Sequence, residues 1–285
     1  MRGRLIARWH AGALAGLVAF ASCDVLDNPV EDVIEPIEQC ALPVFEPLVS
    51  DVQRILVEDF TAHQCGNCPP AAIKAAELAE EHPGQVIPLA IHAGQLAVTN
   101  TEYPTDWTCE EGDEYWDDLE FQVNPVGRVN RRDTEASILL LDQWDAAVDA
   151  LLGMSPPAGM QLAVNFDGAT QKACVHVHTT WFEPVAGAVR LAILVVESHL
   201  EGSQLWYGND PEFVEGYEFE HMLRGSVTGA KGLVVTENPA AGDAHQQDYV
   251  LVWNAAWAPE NCELVALLTE EDGSVLQAIA VPVLE

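Results

Sequence analysis

The chain has 285 residues, with 45 Asp and Glu against 12 Lys and Arg and a formal net charge of −33. A surface this acidic repels nucleic acid and anionic lipid headgroups, which excludes both as partners. Hydrophobic residues make up 49% of the chain, enough for real cores over a length that allows two domains, so the charge does not imply disorder. Lysine is scarce (Lys74, Lys172 and Lys231), a balance that fits salt adaptation, with ions screening the self-repulsion. Stability is then expected to rise from low to molar salt, read as the denaturation midpoint.

Residues 1–22 read as a secretory leader. Arg2, Arg4 and Arg8 precede an apolar run over 11–20, too short to span a bilayer, and Ala21 and Ser22 lead into Cys23. "FASC" resembles a bacterial lipobox, with Phe20 where leucine is usual. That resemblance implies lipidation of Cys23, which becomes the mature N-terminus and tethers the chain to a membrane face without a transmembrane helix. The alternative is a plain signal peptide cleaved nearby. Residues 23–50 are acidic, punctuated by proline and aperiodic, and read as a tether ordered at most near its end. The acids that follow Cys23, beginning with Asp24, resemble export signals of surface lipoproteins in Bacteroidota-type bacteria.

Next come a short β-prone run, "QRILVEDF" (53–60), a loop, and "HQCGNCPP" (63–70). Pro69 and Pro70 suit only the first turn of a helix, and "AAIKAAELAEEH" continues it until His82-Pro83-Gly84. Cys65 therefore sits just ahead of a helix N-terminus, where the dipole and free N–H groups stabilise a thiolate. It is the attacking sulfur, and Cys68, one turn in, is placed to resolve a mixed disulfide. "QVIPLAIHA" (85–93) is a strand in which Pro88 is awkward. Residues 94–119 form an acidic, aromatic insertion containing Cys109, and 135–153 read as a helix with Leu141, Trp144, Val148 and Leu151 along one stripe. After Met154-Ser155-Pro156-Pro157 the pattern turns to short strands: "MQLAVNF", "KACVHVHTTW", "VRLAILVVES", "DYVLVWNAAW", "CELVALLTEE" and "VLQAIAVPV", the composition of a β-sandwich.

The CxxC unit resembles the thioredoxin superfamily on two further features. Asp59 lies six residues before Cys65, where the superfamily places a buried acid that exchanges a proton with the resolving thiol; read from residues alone, it is equally a solvated strand-end carboxylate. Val123-Asn124-Pro125 resembles the superfamily's cis-proline entry to a strand, which implies that Pro125 presents substrate backbone beside the cysteines. Gln64 and Gly66-Asn67 depart from the Trp and Gly-Pro of enzymatic thioredoxins, so redox potential and partner choice do not carry over. Together these features predict an α/β thioredoxin-like domain over 51–155 followed by an all-β sandwich domain over 156–285.

The chain as a whole resembles the thioredoxin-like outer-membrane lipoproteins related to the twenty-eight-kilodalton outer-membrane protein of Bacteroidota. The residues that carry this are "ILVEDFTAHQCGNCPPA", "VNPVGRVNR", "FEHMLRG" and "NCELVALLTEEDGSVLQA". The resemblance implies a lipidated envelope protein, located at the outer membrane, with those two domains.

Apart from Cys23 and the CxxC, four cysteines remain, and four allow three connectivities. Domain proximity favours Cys40–Cys109 and Cys174–Cys262. A metal held by His63, Cys65, Cys68 and His92 is the rival chemistry, but no second CxxC exists, so no metal and no cofactor is assigned. Covalent haem does not fit, because Pro69 stands where its attachment motif has histidine. His221 and Arg224 are spaced one helical turn apart and read first as a structural hydrogen-bond pair. Two functions stay open. One is thiol–disulfide exchange with extracytoplasmic protein thiols and disulfides. The other is a non-catalytic binding lipoprotein in which Cys65–Cys68 is a staple.

Overall fold

The computed structural model describes residues 40–119, 122–132 and 138–284. The leader, Cys23 and the first part of the tether lie outside the described residues. The protein is mostly β-sheet with few helices, its sheets in a sandwich-like arrangement.

Strand β1 (Ile55–Thr61) is buried along its whole length because both of its faces are covered. It pairs in parallel with β2 (Val86–His92) and antiparallel with β3 (Val126–Val129). Helix α1 (Pro69–Glu81) connects β1 to β2 and packs Ala71, Ala75 and Leu78 on Ile55 and Val57. Leu56 and Phe60 point the other way, onto Tyr115 and Trp116 of α2 (Glu110–Asp117), as the two-residue period of a strand requires. On its far side β2 pairs with β9 (Met222–Ser226) only through Ala90, which leaves room for Pro88.

That single pairing joins β1, β2 and β3 to a larger sheet. Beyond β9 lie β6 (Ala188–Glu197), β12 (Cys262–Thr269) and β13 (Val275–Pro282), with β10 (Leu233–Glu237) also on β6. Strands from both sides of residue 155 thus share one sheet. A second sheet of β4 (Ala158–Asp167), β5 (Lys172–Trp181) and β11 (Ala244–Val252) faces β6 and β12. Val175, Val177, Ile193, Val195, Leu264 and Ala266 fill the space between them. A hairpin of β7 (Leu200–Leu205) and β8 (Phe213–Phe219) stands apart from both sheets.

Four expectations are corrected. The helix expected over 135–153 is shorter: α3 spans Trp144–Asp149 after a single 3₁₀ turn at Leu141–Gln143, and Leu139 instead bridges Gly127 of β3. Gly127 makes this possible, since a Cβ there would lie 2.4 Å from the Trp144 ring. Trp144, Val148 and Leu151 are nonetheless buried together. His221 and Arg224 are not one helical turn apart; Arg224 lies in β9 and pairs with Glu197 of β6 at 3.1 Å. The disulfide expected at Cys40–Cys109 is Cys40–Cys174, and that expected at Cys174–Cys262 is absent, with Cys109 and Cys262 both free. The reason is the path of residues 40–50. These residues, the end of the tether stretch, are ordered and lie along β5, with Phe45 5.5 Å from the His178 ring and Leu48 close to Gly159 of β4.

Candidate functional site: a covered disulfide above a buried carboxyl

After β1 the chain turns tightly, with Cys65 N–H donating to Ala62 O at 3.0 Å and Cys68 N–H to Cys65 O at 3.1 Å. Cys68 is the N-cap of α1, and its carbonyl accepts from Ala71 and Ala72. Prolines at the first two helical positions cost nothing there, because those N–H groups would have no partner. Cys65 and Cys68 are joined as a disulfide.

Both cysteines are buried, Cys65 to 3% exposure and Cys68 to 1%, and the β7–β8 hairpin covers them. Leu205 N–H donates to His63 O at 2.9 Å, Tyr207 N–H to Gly66 O at 2.8 Å, and the Gln204 side chain to Cys65 O at 3.1 Å. Gly66 is what lets the hairpin settle, since a Cβ there would lie 2.6 Å from ring carbons of Tyr207.

Beneath the disulfide is a cavity of about 180 Å³ lined by Asp59, Cys68, Pro69, His92, Gln204 and Tyr217, among others. Asp59 is buried to 1% exposure and neither carboxyl oxygen has a hydrogen-bond partner. Burial alone pushes its pKa up to about 8. The Tyr217 hydroxyl is pushed up to about 12, first by burial and then by Asp59. His92 has no partner on either ring nitrogen; burial, then the neighbouring His63 and Arg224, hold it down at about 3. The edge of Phe219, on the hairpin, seats against it at 5.2 Å. Of the two readings of Asp59, the structure selects the buried one. The Asn124–Pro125 bond is cis, and the Asn124 side chain donates to Phe60 O at 3.1 Å, holding the start of β3 against β1.

Among the described residues, those weighed for a metal do not bring three donors together, and the two sulfurs are bonded to each other. Among the described residues, the group whose donors converge is His199, Glu218 and Glu220, at the base of the hairpin. Its members satisfy one another, with His199 Nδ1 at 2.7 Å from Glu218 and 3.1 Å from Glu220, and the Glu218 hydrogen bond raises the His199 pKa.

Sequence reasoning missed the hairpin and the neighbour of Asp59. Glu58 is fully buried and ion-paired to Arg128 and Arg131 at 2.9 and 2.7 Å. The alternation of a strand with both faces buried was the signal available: adjacent acids in it must enter opposite faces.

The family described as "Outer membrane protein Omp28" matches residues 113–283, from α2 to the end of β13. The chain belongs to the Omp28 family. That membership makes it an outer-membrane protein of the cell envelope. The matched stretch begins inside α2, after Cys65 and Cys68 themselves, and takes in β3, α3 and the strands of the sandwich. Among solved structures, HBP35 of Porphyromonas gingivalis is similar at a TM-score of 0.60 and 15% identity, covering 82% of this chain and 76% of that one. At that identity the likeness concerns the fold alone. A protein of Agrobacterium tumefaciens aligns at 0.48 and 16% (83% of this chain, 97% of that one). A domain of the outer membrane lipoprotein Omp28 from Porphyromonas gingivalis aligns at 0.30 and 17% (45% and 88%). No curated protein sequence matches the chain.

Proposed function

We propose that this Omp28-family protein is a lipoprotein anchored through Cys23. In this reading its Cys65–Cys68 pair, on a thioredoxin-like unit over 51–155, exchanges thiols and disulfides with extracytoplasmic proteins, and 156–285 is the sandwich domain. The observation that carries this reading is Asp59. A structural staple needs no ionisable group beneath it, and burying an unpartnered carboxyl is unfavourable. Here one lines the same cavity as Cys68. Its pKa of about 8 is close to that of a free thiol, which puts proton transfer between them near balance.

In the reducing direction, the Cys65 thiolate attacks one sulfur of a substrate disulfide. A mixed disulfide forms and the first substrate thiolate leaves. Cys68 then gives its proton to the Asp59 carboxylate, and the resulting thiolate attacks the Cys65 sulfur. The second substrate sulfur leaves as a thiolate and the Cys65–Cys68 bond is restored, two electrons having passed to the substrate. Asn124 and Pro125, beside exposed Val123, supply backbone on which an extended substrate can lie. The hairpin must first release His63 and Gly66.

A specific observation favours a second reading, the inert staple of a binding lipoprotein: both cysteines are nearly inaccessible. Titration in glutathione or dithiothreitol buffers separates the two. Exchange predicts a midpoint between about −120 and −270 mV, with insulin reduction that Cys65→Ser abolishes. A midpoint below about −300 mV without insulin reduction means a staple.

A further inference from the structure

Glu58 and Asp59 leave β1 on opposite faces. Asp59 enters the cysteine cavity, and Glu58 lies under a second cavity, of about 450 Å³, between α2, β3, β6 and the β12–β13 turn. Its floor is cationic. Arg128 and Arg131 share the single carboxylate of Glu58, with side chains exposed to only 9% and 10%, so one positive charge is left over. One arginine would have neutralised Glu58. Arg128 Nη2 is shut off from the cavity and has no hydrogen-bond partner, so nothing within the cluster offsets the surplus charge under the floor. Arg131 is held over the Tyr115 ring at 4.3 Å. Arg190 and Lys231 line the same space, Arg190 fixed by Gly232 O at 3.1 Å and Lys231 by Asp118 at 3.0 Å. Four of the 12 Lys and Arg of a chain with 45 acids converge on one cavity, which chance placement on an acidic surface does not explain.

The outer wall has the opposite sign. Glu270, Glu271 and Asp272, in the turn between β12 and β13, also line the cavity, and Glu271 and Asp272 are exposed. A dianion such as phosphate would meet repulsion on the way in, and a simple cation would meet the guanidiniums at the bottom. A guanidinium floor pairs with a carboxylate, and an acidic wall pairs with an ammonium. From this layout we infer that the cavity binds a small zwitterion of the amino-acid or short-peptide class, carboxylate inward against Arg190 over the positively charged floor, ammonium outward toward Glu270–Asp272. The volume lies within the range of small-molecule sites. The site is independent of the disulfide chemistry.

The test is calorimetry on the full chain with three probes: alanylalanine, its C-terminal amide, and propionate. Alanylalanine is expected to bind with a Kd below about 1 mM, and each of the other two, lacking one charge, at least about tenfold more weakly. Arg190→Gln should weaken alanylalanine by a similar factor while the melting temperature stays put. This partly buried residue outside the Glu58 cluster is the variant of choice because Arg128→Gln disturbs that cluster and can unfold the chain. Absence of alanylalanine binding overturns the proposal, as does binding of propionate or the amide equal to that of the dipeptide. So does an Arg190→Gln chain that stays folded and binds unchanged.

Discussion

At the scale of single residues, two adjacent acids on β1 solve burial in different ways. Asp59 is uncharged through acid and neutral pH and ionises only as pH nears about 8, so near neutrality a minor carboxylate fraction is there to take a proton. Its pKa is 3.8 for the free side chain and about 8 in the folded chain, so the native state holds the proton more tightly than the unfolded state does. Its contribution is therefore complete below pH 3.8 and is lost as pH rises through about 8. The slope is at most about 1.4 kcal/mol per pH unit across that window. Asp59→Asn should remove this slope, read as urea midpoints on either side of neutrality. The same variant should slow insulin reduction if Asp59 relays the proton. Glu58 stays ionised: burial pushes its pKa up, but Arg128 and Arg131 outweigh burial and hold it below the usual range. Glu58→Gln leaves two buried guanidiniums without a counter-charge and should cost about 3–5 kcal/mol, measured by denaturant unfolding. That an acid lies six residues before Cys65 was legible in the sequence. That it is buried, and that its neighbour holds two arginines, was not, because Arg128 is 70 residues away and Arg131 is 73.

At the scale of elements, α1 and its cysteines were readable because every signal is local. Prolines at the first two positions, a run of helix formers and His82-Pro83-Gly84 lie within one helix length. The hairpin over them was not readable. "LEGSQL" and "FVEGYEF" carry glycine and charge where strand patterns want branched apolar residues, and their pairing partner is each other rather than a core. Residues 138–140 mislead in the opposite direction: an apolar run contiguous with a helical stripe has the pattern of helix, yet Leu139 finds a sheet partner in Gly127. The hairpin makes its own prediction. Gly66→Ala places a methyl group against the Tyr207 ring and should lift the hairpin from the disulfide. Reduction of Cys65–Cys68 by dithiothreitol should then run several-fold faster than in the parent chain. An unchanged rate would mean that the hairpin does not limit access.

At the scale of the molecule, the Cys40–Cys174 disulfide closes a loop with a sequence separation of 134. It ties Cys40 to β5 and encloses the whole CxxC unit. Chain-entropy arguments give a loop this long about 4–5 kcal/mol. The double variant Cys40→Ser, Cys174→Ser should unfold at a clearly lower temperature under oxidising conditions, while reduction should barely alter its own melting beyond the effect at Cys65–Cys68. By itself the sequence determined what depends on neighbours a few residues apart: the strand–CxxC–helix order, the alternating strands of the sandwich and the presence of an acid six residues before Cys65. Periodicity and turn chemistry act over one or two turns of chain and are written in it. Only the tertiary structure decided which cysteines pair, what covers the disulfide, and that strands on both sides of residue 155 share one sheet. Those contacts join residues more than a hundred positions apart, where several pairings satisfy the same composition equally well and packing alone selects among them.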